Sequence, residues 1–169
     1  AIPEAGEVQF STPSDDGSIL WVAGDIVIDN DGSHGSPGPA PDGTYNFEKP
    51  GLYPIEIAYF NGDWTDDAGA HGGANIQFLS TLGGAVGPQS AGPQLVDASV
   101  LYGTQDLADL NLVGPGTSQE APEEAGTGLS GRYWQLPVGS ILNIKNLGGD
   151  QDIGLDTIQS VPAAGRFTS

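Results

Sequence analysis

Ser14-Asp15-Asp16-Gly17-Ser18-Ile19-Leu20-Trp21-Val22-Ala23-Gly24-Asp25-Ile26-Val27-Ile28-Asp29 decides the fold. Two short apolar runs, residues 19–23 and 26–29, flank the pair Gly24-Asp25, and that pattern is the signature of a β-hairpin. Upstream, Ser14-Asp15-Asp16-Gly17-Ser18 is turn chemistry, and residues 7–11 alternate polar and apolar as a half-buried strand does. Downstream, a loop over residues 30–43 leads to another alternating stretch, 44–48. Residues 52–60 then form the strongest strand pattern in the chain, and 74–79 alternate again. Residues 95–102 read as a short strand or one helical turn, as do 155–161. Strand-like patterning resumes at 128–134 and 141–147, and no stretch keeps helical spacing beyond two turns. An all-β fold is expected.

Composition agrees. The 169 residues include 27 Gly and 13 Pro, which punctuate short strands in such folds, while three Trp, five Tyr and five Phe supply a core. The length suits one domain with a single two-layer core. A net charge of −18, with four basic residues, excludes a nucleic-acid partner, because a phosphate backbone could not be neutralised. No apolar run approaches the length of a membrane span. The absence of Cys excludes disulfides, redox thiols and thiolate zinc sites.

The pieces Ser14-Asp15-Asp16-Gly17-Ser18, Leu20-Trp21-Val22-x-Gly24 and Val27-Ile28-Asp29-Asn30-Asp31-Gly32-x-His34-Gly35 resemble the centre of the PA14 domain family. So does Gly51-Leu52-Tyr53-Pro54-Ile55-x-Ile57-x-Tyr59-Phe60-Asn61 followed by Gly72-Gly73-Ala74. Residues 94–102 look like the segment that closes such domains. The family's opening strand is similar to Gly128-Leu129-x-Gly131-Arg132-Tyr133-Trp134, at the far end of the chain, and residues 152–169 resemble the lead into its second strand. The resemblance therefore implies a β-sandwich in circularly permuted order: core residues 1–102, a linker of residues 103–127, and permuted opening strands at 128–169.

A sandwich without its opening strands has open edges that invite strand addition. Residues 128–169 can complete their own domain or that of the next copy, and the second route builds a head-to-tail fibre. The linker reaches up to ~80 Å when extended, at ~3.3 Å per residue, so it permits both. One expectation is thus an extracellular, secreted filament subunit, non-enzymatic and stiffened by Ca²⁺, with Tyr133, Trp134 and Phe167 at the subunit interface. The other is a monomeric calcium-dependent carbohydrate-binding module of the lectin or adhesin type.

In glycan-binding members of the family, two adjacent aspartates joined by a cis peptide ligate Ca²⁺, and the ion coordinates sugar hydroxyls. The resemblance implies this role for Asp15 and Asp16. Since Ca²⁺ takes 6–8 oxygen ligands, two aspartates are too few. The loop over residues 61–73 supplies Asn61, Asp63, Asp66 and Asp67, with Trp64 to stack on a sugar ring and His71 beside it. The bland alternative is that Asp-Asp-Gly is only a tight turn.

Other candidates are weaker. Asp29-Asn30-Asp31-Gly32 lacks the spaced carboxylates of a calcium loop and reads better as a turn that caps a strand. Asp150, Asp152 and Asp156 form a second acidic set that could lock an interface, against a solvated loop. His34 and His71 lie in different loops without zinc-ligand spacing. Asp31, Ser33 and His34 are too close in sequence to make a hydrolytic triad. Thr117 and Ser118, near Pro, could accept O-glycans. Trp21, Tyr53, Tyr59, Phe60 and Phe78 are expected in the core.

Overall fold

The computed structural model describes residues 1–35, 41–62, 75–82, 92–103, 128–129, 133–135, 144 and 159–161, the strands within 133–135 and 159–161 as backbone only. The order of elements is β1 (Gly6–Ser11), β2 (Ser14–Asp15), β3 (Ser18–Val22), β4 (Asp25–Asn30), β5 (Asp42–Phe47), β6 (Ile55–Tyr59), β7 (Asn75–Ile76), β8 (Leu79–Ser80) and β9 (Gln94–Leu95). A 3-10 turn at Ala98–Val100, β10 (Tyr133–Gln135) and β11 (Gln159–Val161) follow. A four-stranded sheet, β5-β1-β8-β9, and a three-stranded sheet, β4-β3-β6, make up the two layers, and every pairing is antiparallel. The protein is an all-β sandwich.

Alternation builds the core. On β1, Val8 and Phe10 point inward; on β3, Leu20 and Val22 do; β4 adds Ile28 and β5 adds Phe47. Phe10 meets Phe47 edge-on, with centroids 6.3 Å apart, and lies parallel to the ring of Phe78 at 6.0 Å. Phe60 is buried, and Tyr53 and Phe78 pack against the core from partly exposed positions, whereas Trp21 and Tyr59 are only half-buried. Trp21 sits between Leu20 and Val22, so it faces the other side of β3.

The hairpin closes one residue earlier than its sequence implies. Val22 pairs with Asp25, so the two-residue turn is Ala23-Gly24, with φ of 52° and 94°. Right-twisted strands favour such turns with positive φ at both central positions, and Gly24 takes the second at little cost. The long apolar stretch 52–60 is trimmed to β6. Pro54 has no amide proton to give the ladder, and its carbonyl instead accepts from Ala23 N at 2.8 Å. The 74–79 stretch is divided between β7, which pairs with β2, and β8, which pairs with β1. Ser14-Asp15 are thus strand residues, and the turn proper is confined to Asp16-Gly17.

Beyond the sandwich, Tyr133, Trp134 and Gln135 pair with Val161, Ser160 and Gln159, which makes 159–161 a strand. Gly128 N donates to Leu101 O at 3.0 Å, so the chain returns after the linker to the point where it left. Among the described residues no helix is long and apolar enough to cross a membrane.

Candidate functional site

The Asp15-Asp16 peptide bond is cis. Asp16 is 8% exposed, and a carboxylate so buried needs partners for its charge. Three donors supply them. Ser33 Oγ (2.9 Å) and His34 N (2.7 Å) donate to Oδ1, and Gly62 N donates to Oδ2 at 2.7 Å. These are short, charge-assisted bonds. They tie the 31–35 turn and the start of the 61–73 loop to a single side chain.

The other end of that loop is tied to Asp15. Its Cα partner across the β2–β7 ladder is Asn75, two residues beyond Gly73. Tyr59 Oη donates to Asp15 O at 2.5 Å. Burial raises the Tyr59 phenol above its ordinary 10.0, and the negative charges of Asp15 and Asp16 add to the rise, so it remains a donor at neutral pH.

Behind the pair lies a buried hydroxyl cluster. Ser14 Oγ donates to Ser18 Oγ at 2.9 Å, and Ser18 Oγ is 3.1 Å from both Thr12 O and Thr12 Oγ1. Asn30 Nδ2 donates to Ser14 Oγ at 3.1 Å, which links the end of β4 to the same cluster. Gly17 completes the mount. A Cβ there would stand 2.6 Å from Phe60 Cε1 and 2.8 Å from Gly32 N and O, closer than real contacts allow. The glycine of Asp-Asp-Gly thus lets Phe60 and the 31–35 turn close on the aspartates.

A hard cation suits the donors. A carboxylate has about four lone-pair sites, and three protein donors on Asp16 leave capacity for one more partner. Asp15 is half-buried, and the exposed Asn61, whose Nδ2 donates to Gly62 O at 3.1 Å, carries an amide oxygen of the kind a hard cation takes. That set is short of the 6–8 oxygens of Ca²⁺, and among the described residues no group of three acidic or histidine side chains gathers. Asp63, Trp64, Asp66, Asp67 and His71, which would complete ion and sugar sites, lie outside the described residues, as do Phe167, Asp150, Asp152, Asp156, Thr117 and Ser118. Tyr133 and Trp134 are placed by their backbones on β10.

His34 contributes its backbone amide, while its ring Nε2 lies 3.3 Å from Asn30 O. Asp31 Oδ1 accepts from Gly32 N at 2.9 Å, as a turn residue does. The donors Ser33, His34 and Gly62 were not foreseen from the sequence. Two of them are main-chain amides, for which residue identity carries no signal.

The PA14 domain family model matches residues 1–77, a span that holds β1 to β7 and every described residue of this site. No curated protein and no solved structure matches the chain. The similarity to the PA14 domain family thus runs from the first strand to the far side of the Asp15-Asp16 site.

Proposed function

We propose that the protein is a non-enzymatic, extracellular, calcium-dependent carbohydrate-binding module of the adhesin type, with Ca²⁺ held by Asp15, Asp16 and the 61–73 loop. The match of residues 1–77 to the PA14 domain family supports a carbohydrate-binding or adhesin-like role. The observation that carries the reading is that this loop begins and ends on the aspartate pair, through Gly62 N on Asp16 and Asn75 opposite Asp15. Asp63, Asp66 and Asp67, with Trp64 and His71, fall in sequence between these two anchors. The test is Ca²⁺ titration by calorimetry together with glycan-array binding in Ca²⁺ and in EGTA. Asp16→Asn abolishes both under this reading; glycan binding that survives chelation refutes it.

A second reading, the head-to-tail filament, has its own support. β10 and β11 pair with each other as a separate ribbon, and a ribbon is a unit that can be handed to a neighbour. The bond from Gly128 N to Leu101 O weighs the other way, because it seats the start of the permuted segment on its own domain. Electron microscopy of the purified protein with and without chelator separates the two. Fibres that vanish on chelation and in Trp134→Ala favour the filament, and a monodisperse 17.3 kDa species excludes it.

A further inference from the structure

The turn over residues 31–34 holds both Asp16 and a distant stretch of the chain. On one flank, Ser33 Oγ and His34 N hold Asp16 Oδ1. On the other, Asp31 Oδ1 accepts from Ile144 N at 2.7 Å, across 113 residues of sequence, as well as from Gly32 N. Gly32 itself lies against Gly17, the residue after the aspartate pair. Asp16 and the Ile144 amide are therefore both fastened to one turn.

We propose that this turn couples cation occupancy at Asp15-Asp16 to the seating of the chain at Ile144 on its own domain. The inference rests on the proposed cation site and adds its regulation. An ion that fixes the Asp16 carboxylate also fixes the amide and hydroxyl bonded to it, and so fixes Asp31. The ordering cost of the turn is then met by whichever partner binds first, and the second binds more tightly. Linkage makes the effect reciprocal: seating Ile144 raises cation affinity by the factor by which the cation strengthens the seating. The cation would thus favour completion of the same subunit over exchange with a neighbour.

The experiment uses the whole chain. Amide exchange at Ile144 is followed by NMR in Ca²⁺ and in EGTA, and Ca²⁺ affinity is measured calorimetrically for wild type, Asp31→Ala and Asp31→Asn. Coupling predicts that Ca²⁺ slows Ile144 exchange by about fivefold or more, and that Asp31→Ala weakens Ca²⁺ binding by the same factor. Asp31→Asn, which keeps the acceptor oxygen, stays near wild type. If wild type binds Ca²⁺ with Ile144 exchange unchanged and Asp31→Ala has full affinity, the coupling is overturned and the cation site stands. If wild type binds no Ca²⁺, the cation site falls and the coupling with it. Should Asp31→Ala fail to fold, wild-type exchange and Asp31→Asn affinity decide the matter.

Discussion

The two ends of β1 and β3 are built on different physics. At one end, Val8, Phe10, Leu20 and Val22 bury apolar surface; at the other, Thr12, Ser14 and Ser18 are buried to the same degree and carry hydroxyls. The apolar end gains from area removed from water, which is non-directional and tolerates small adjustments. The hydroxyl end gains little net energy per bond, but it loses much when a bond is left unmade. The difference teaches a division of labour: the first end holds the sandwich together, and the second fixes where Asp15 and Asp16 stand. Stability and site geometry should therefore respond to different substitutions.

The hardest test of that division is Phe10→Ala. Loss of a ring buried against Phe47 and Phe78 is expected to cost about 3–5 kcal/mol in urea unfolding. Ca²⁺ affinity of the molecules that remain folded should be unchanged. Gly17→Ala tests the other end. Overpacking against Phe60 and Gly32 costs about 1–3 kcal/mol, and Ca²⁺ affinity should fall with it in calorimetric titration. If affinity is kept, the close approach at Gly17 does not position the site.

Ser18→Ala removes one hydroxyl shared by Ser14 and Thr12. A loss of about 1–2 kcal/mol is expected, again with weakened Ca²⁺ binding, because the partners are left buried without it. Tyr59→Phe is the mildest, at about 0.5–1.5 kcal/mol for the bond to Asp15 O. It carries a pH signature. The folded Tyr59 phenol has its pKa raised above 10.0, so the folded state holds this proton more tightly than the unfolded chain does. Its contribution is fully present below pH 10.0 and is lost as pH rises through the higher folded value. Urea midpoints measured across that alkaline window should fall less steeply in Tyr59→Phe than in wild type.

Much of the apolar end was legible in the sequence. Alternation at residues 7–11 and 44–48 located β1 and β5, and the hairpin around Gly24 located β3 and β4 to within a residue. Trp21 was misread as core because size suggests burial, while its place between Leu20 and Val22 puts it on the opposite face. The hydroxyl end was only half legible. Asp15 and Asp16 stand out as adjacent acids, but Ser14 and Ser18 look like ordinary turn residues until their hydroxyls are seen to meet. The bond from Ile144 to Asp31 left no trace, since a main-chain amide can be donated by almost any residue, and its partner lies 113 positions away.

The meeting of Gly128 with Leu101 has an engineering and evolutionary consequence. A stretch whose ends share one hydrogen bond can change length without moving the sandwich. The closure penalty grows only with the logarithm of length, by about 0.6 kcal/mol per doubling. The linker of residues 103–127 is thus a natural port, where a short tight connection, a spacer or a foreign peptide for display can be spliced in, while the strands on either side keep their register.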